Sequence, residues 1–202
     1  LAHLAQDEPS TMYGLLAESI FVAPDFSSVA FRIRPQARFS NGDPVTPADV
    51  KHSFDTLNSK EASPPYQTIL AGIERAEIVD ASTVRFLLRQ RTRDQVFVAG
   101  TLPVFSRKWG TGKKFSEVVA EYPITTGPYV IGKVDMPHRI EFVRNPNYWA
   151  AAIPGLGVRR GHFNFDRIVY RNYSENAVAR EAFKAGEFDL FKEYGARSWV
   201  RL

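Results

Sequence analysis

Histidines, glycine-rich loops and nucleophile-bearing turns are where this sequence could do chemistry. Four histidines, His3, His52, His138 and His162, carry the side chain best suited to proton transfer or metal ligation near neutral pH. No two stand four apart, and none has a carboxylate at metalloprotease spacing, so they read as surface or loop residues. The run "GLGVRRG", Gly155 to Gly161, approaches a dinucleotide-binding loop, but its third glycine falls one residue late and Pro154 stands where a feeding strand should end. The run "GTGKKF" from Gly110 misses the phosphate-loop pattern, with Arg107 in place of the first glycine and Lys114 in place of Ser or Thr. There is no Gly-x-Ser-x-Gly elbow and no cysteine, so thiolate catalysis, disulfides and cysteine-held zinc or iron–sulfur sites are excluded. The expectation is a protein that is not an enzyme, with no catalytic residue, no metal site and no cofactor.

Composition narrows the partners. With 202 residues, 44% hydrophobic and 24% charged, the chain has the make-up of a globular protein able to bury roughly 70% of its unfolded surface. The 26 basic residues outnumber the 22 acidic ones, giving a net charge of +4, but they are spread along the chain, so nucleic acid is not the expected partner. No apolar run reaches the ~18 residues of a membrane helix, and the start "LAHLAQDEPS" lacks the basic-then-apolar order of a signal peptide. The chain is therefore expected not to span a membrane and to be a mature or truncated form without its address label.

The local patterns predict a mixed α+β layout. Strands are expected at Ile20–Ala23 and at 29–34, where Val29, Phe31 and Ile33 alternate with Ala30, Arg32 and Arg34. Asn41-Gly42 forms a tight turn, and Thr46 caps a helix with Pro47 at its first position, Asp49 near its free amides, and Val50, Phe54 and Leu57 on one stripe. A second hairpin turns at Asp80 to Ser82, and a short helix runs from about Arg93 to Ala99. Pro123, Gly127 and Pro128 mark a candidate boundary. Beyond it come a hairpin of residues 129–134 and 139–144, a long loop, and a strand within "DRIVYRNY". Ser174 is expected to cap a helix to about Ala185 with Val178 and Ala182 on one side; Gly186 stops it, and a strand follows from Phe188 to Tyr194.

The order of the segments carries a further signal. "LAESIFVAPDFSSVAFRIRPQARFSNGDPVTPADVKHSFDTL" resembles the signature region of the bacterial extracellular solute-binding proteins of the oligopeptide, dipeptide and nickel family. There a strand pair ending in Phe-x-Leu-Arg precedes an aromatic-x-Asp-Gly-x-Pro-Val-Thr turn and helix. "TTGPYVIGKVDMPHRIEFVRNPNYW" is similar to the family's Gly-Thr-Gly-Pro-Tyr hairpin, and "AREAFKAGEFDL" to its Gly-Glu-x-Asp helix end. "YGLLAES", "GHFNFDRIVYRNY" and "VAREAFKAGEFD" look closest to the branch that takes up peptides and microcin C-type conjugates. Departures are mild: Asn41 stands where Asp is commoner, Pro47 where Ala is usual, and "TTGPY" replaces "GTGPY".

This resemblance implies a fragment of a two-lobed periplasmic binding protein of mixed α/β fold, with mixed sheets and flanking helices. Residues 1–19 would lead from the first lobe, 20–122 would form a small accessory α+β domain, and 123–202 would be part of the first ligand-binding lobe, the second being absent. The implied function is capture of peptides or peptide-like solutes in the periplasm for a membrane ABC permease; a metal chelate, sugar or opine on the same fold is the alternative, and a hydrolase a more distant one. Phe191, Lys192, Glu193 and Tyr194, just past the Gly-Glu-x-Asp helix end, are the implied solute-binding residues.

Overall fold

The computed structural model describes residues 1–5, 7–8, 10–151, 153, 162–193 and 195. The chain divides into two units: Leu1–Val130 with Arg144–Asn164, and Ile131–Val143 with Phe165–Leu202.

The first unit is built around a four-stranded antiparallel sheet. Two three-residue strands, β1 (Ala2–Leu4) and β2 (Met12–Gly14), pair ahead of it. The sheet contains β3 (Ala17–Val22), β4 (Ser28–Ile33), β5 (Ile73–Ile78) and β6 (Thr83–Leu88), in the spatial order β3-β4-β6-β5. Period-two alternation does what the sequence implies: Val29, Phe31, Val84 and Phe86 are wholly buried, while Arg32 and Arg85 face water. Helix α1 (Pro47–Leu57) lies on the buried face through Val50, Phe54 and Leu57. Phe86 meets Phe31 and Phe54 edge-on, with ring centroids 5.9 and 5.7 Å apart, the arrangement that aromatic quadrupoles favour.

Local chemistry sets the element ends as expected. The Thr46 side chain accepts from the Asp49 amide while Asp49 Oδ2 accepts from the Thr46 amide at 3.0 Å, a capping box worth about 1 kcal/mol. Gly42 has φ +88°, and the turn closes with the Phe39 amide donating to Asp43 O at 2.9 Å. Asp80 Oδ1 accepts from the Ser82 amide at 2.7 Å and so tightens the β5–β6 turn. Helix α3 (Arg93–Gly100) forms after Thr92. Helix α2 (Pro64–Leu70) was not foreseen: only Leu70 is buried, so no stripe betrays it, and its one cue is Ser63 followed by two prolines. His3 and His52 are half-buried, not surface residues, and the His52 ring sits edge-on to Phe105 at 5.8 Å.

A buried serine ties α1 to the segment after α3. Ser53 Oγ lies 2.8 Å from Asp49 O and 3.1 Å from Phe105 O, either of which takes its proton, and accepts from the Phe105 amide at 3.0 Å. Phe105 then packs against Trp109 and Phe115.

In the second unit β7 (Tyr129–Asp135), β8 (Arg139–Arg144) and β9 (Arg167–Arg171) form a three-stranded sheet in that order, its first two strands reaching back into the first unit's range. Gly132 lies close to β8: a Cβ there would be 2.7 Å from Val143 Cγ2. Helix α4 (Asn176–Lys184) follows β9. Its start and its buried side differ from the expected Ser174 cap and the expected face of Val178 and Ala182. Glu175, not Ser174, is the residue before the first helical turn, and it makes no side-chain cap bond. Val178 is 50% exposed, so the buried side runs through Ala182 without it. Gly186 does end the helix, at φ +75°, with its amide on Phe183 O and the Glu187 amide on Ala182 O, both carbonyls left over from the last turn.

The expected strand from Phe188 to Tyr194 is absent among the described residues: 188–193 pair with no strand, and Tyr194 lies outside the described residues. The segment packs on a helix instead, through Phe188, Phe191 and Glu193. The loop at Gly155–Gly161 also lies outside the described residues.

Candidate functional site

The segment after Gly186 runs back along α4, held by the side chains at 188, 191 and 193. Phe188 and Phe191 both reach Phe183, with ring centroids 5.6 and 5.7 Å away, and Phe191 is stacked on it at 27°. Two residues further, Glu193 turns to the same helix. Its Oε2 accepts from Arg180 at 2.7 Å (Nη2) and 3.1 Å (Nε), and its Oε1 accepts from Asn176 Nδ2 at 3.2 Å and the Gly195 amide at 2.7 Å. Asn176, Arg180 and Phe183 stand at i, i+4 and i+7, so one stripe of α4 seats the whole return.

Glu193 is a buried charge with its partners supplied. Its side chain is 1% exposed and that of Arg180 17%. The Gly195 amide, then the Arg180 guanidinium, hold its carboxyl below the ordinary carboxylate range, against the opposing pull of desolvation. Charge-assisted bonds to both oxygens are what such burial requires.

Of the four residues singled out from the sequence, the structure brings Phe191 and Glu193 together on α4, leaves Lys192 exposed between them, and does not describe Tyr194. Asn176, Arg180 and Phe183 escaped the sequence reading. Their signal was present in "NAVAREAF", where i, i+4, i+7 spacing joins two polar side chains and one aromatic, but a helix read only for its apolar stripe passes over it.

Among the described residues, three further buried polar residues, Asp49, Ser106 and Glu141, are occupied with structure. Asp49 Oδ1 accepts from the Arg107 amide at 3.2 Å, Ser106 Oγ accepts from the Lys108 amide at 3.2 Å, and Glu141 receives Arg139 at 3.2 Å and Arg167 at 3.6 Å. Among the described residues no group of three or more His, Asp or Glu could hold a metal ion. A cavity of about 520 Å³ in the first unit is walled by Met12, Val22, Phe26, Val96 and Phe97, with Arg93 on its lining. Arg93 donates to Ser10 O at 2.6 Å and stands over the Phe97 ring.

Residues 11–202 match the family described as bacterial extracellular solute-binding proteins, family 5 Middle. YejA of Escherichia coli (strain K12) is 37% identical over 196 residues, covering 97% of this chain and 32% of its own length. The probable peptide-binding protein YejA of Agrobacterium fabrum (strain C58) is 30% identical, covering 96% of this chain and 32% of its own length. The chain thus spans about a third of the length of the curated relatives it matches. Among solved structures, MoaA of A. tumefaciens R10 in complex with mannopinic acid matches all of this chain and 39% of its own at 25% identity and a TM-score of 0.76. No helix among the described residues is long and apolar enough to cross a membrane. With nearly the whole chain matched in sequence and in fold, it belongs to the bacterial extracellular solute-binding proteins of family 5.

Proposed function

We propose that the protein carrying this chain captures peptides or peptide-like solutes in the periplasm and presents them to an ABC permease, binding its guest without breaking a bond. The observation that carries this reading is the 30% identity, along 96% of the chain, to a relative named as a probable peptide-binding protein. Residues 20–122 act as an accessory domain and 123–202 belong to a solute-binding lobe, whose segment Phe191–Tyr194 contributes to the wall facing the solute. The exposure of Lys192, with its neighbours seated on α4, supports that assignment. The likeness of "GHFNFDRIVYRNY" and "VAREAFKAGEFD" to the branch that imports peptides and microcin C-type conjugates supports a peptide-based guest. The match to a protein solved with mannopinic acid favours an opine as the second reading.

A binding pocket encloses about 70–90% of a small guest, and one lobe offers only part of that enclosure. Closure of a second lobe supplies the rest. Mass spectrometry of solute released from the complete protein tests the reading: peptides support it, and an opine or sugar conjugate in their place overturns it.

A further inference from the structure

Phe191 and Glu193 both spend their side chains on α4. Each is turned onto α4, and each is held by a different kind of contact from the same helix stripe: ring stacking on Phe183 for one, and three polar side-chain contacts from Asn176 and Arg180 for the other. A residue whose two carboxylate oxygens are already taken by four donors, at 1% side-chain exposure, has no lone pair in an accessible direction to offer a guest. Yet a buried carboxylate is costly unless it is fully paired, and α4 places two separate side chains one turn apart to pair this one.

Resting on the proposed solute-binding reading of this segment, we infer that Glu193 is a positioning residue: Arg180 and Asn176 clamp it so that the return along α4 keeps one fixed register. The consequence is geometric. With 191 and 193 held on the helix, 192 between them is turned out and exposed. Sliding the segment by one residue would bring Lys192 against Arg180, a like-charge contact in place of the Glu193 pair. The Gly195 amide, which donates to the same carboxylate, extends the lock beyond the pair and fixes the chain direction just past Tyr194.

The test uses the complete protein, with Glu193→Gln, Arg180→Gln and the double variant, and a defined pool of tri- to pentapeptides as probe. Three quantities are read: hydrogen exchange at the Gly195 amide against the amides of α4, thermal midpoint, and calorimetric affinity for the best-bound pool member. Positioning predicts that Gly195 exchange accelerates at least tenfold while α4 exchange changes less than threefold. It also predicts that affinity falls about tenfold with little shift of the midpoint, and that the double variant is no worse than either single one. Arg180→Lys, which keeps the charge but loses the two-pronged bond, should recover part of the affinity. Unchanged affinity, or affinity falling only in step with the midpoint while α4 exchange rises equally, overturns the inference. If the wild-type protein binds no member of the pool, the peptide reading falls, and unaltered Gly195 exchange in the variants then decides separately against the clamp.

Discussion

Replacing Ser53 with alanine measures how much a single hydroxyl holds α1 to the Phe105 segment. Two effects oppose each other. Alanine is the better helix former by about 0.5 kcal/mol, and on that ground alone the variant would be slightly more stable. Against it, the hydroxyl is wholly buried and answers both backbone groups of Phe105: it accepts from the amide at 3.0 Å and lies 3.1 Å from the carbonyl. Losing it leaves a buried amide unpaired, at about 1–3 kcal/mol. The Asp49 carbonyl adds little, since as a helix carbonyl it keeps its i+4 amide partner. The net expectation is a loss of about 1–2 kcal/mol, or roughly 2–8 °C in melting temperature for a chain of this size. Urea titration followed by tryptophan fluorescence is the assay, because Trp109 packs edge-on to Phe105 at 5.3 Å. The midpoint should fall with the slope unchanged. A variant as stable as wild type would show that Phe105 finds another partner, and the tether would be refuted.

Phe86→Ala should cost about 3–5 kcal/mol, because a wholly buried ring that meets both Phe31 and Phe54 leaves a cavity that neither can fill; near-UV circular dichroism and denaturant titration read this, and a loss under 1 kcal/mol contradicts the packing described. Gly132→Ala should destabilise by about 1–3 kcal/mol by driving a methyl group into Val143, and adding Val143→Ala should return part of the loss in a double-mutant cycle. Acid sensitivity has a definite sign: the folded pKa of Glu193 lies below its ordinary 4.5, so its contribution is complete above that pH and is lost as pH falls through the lowered value. Asp25, Asp43, Glu77 and Asp80 are shifted the same way, so stability should decline on acidification below about 4.5, and Glu193→Gln should flatten that decline.

The parts of this fold that were legible in sequence are those where one short-range rule acts alone. Thr46-Pro47-x-Asp49 satisfies free amides within one turn, and Val29, Phe31 and Ile33 need only a sheet with one dry face. Illegible parts depend on partners distant in sequence or on surfaces of mixed character. Helix α2 buries one residue and so carries no period. Ser174 had the right side chain for a cap, but the backbone enters α4 one residue later, at Glu175. The return after Gly186 reads as a strand from its apolar and aromatic residues but packs on a helix through Phe188, Phe191 and Glu193, and a short run of that kind does not say what neighbour it meets. Glu193 was legible as a residue of interest, though its inward direction was not, since that depends on Asn176 and Arg180 thirteen or more positions earlier.

The four-stranded sheet also constrains how this chain can vary in length. Across it, Phe21, Ala30, Arg85 and Glu77 sit side by side on the wet face, and in the rows beside them the central residues Val29, Phe31, Val84 and Phe86 are wholly buried. Adding or deleting one residue inside β6 would exchange its two sets, sending Arg85 inward and Phe86 to water, and the same change in β4 would do so for Arg32 and Phe31. Length differences among related chains should therefore gather in the connections around 34–46, 58–72 and 89–92, and an odd-numbered change within either strand should appear only with a bulge that absorbs it.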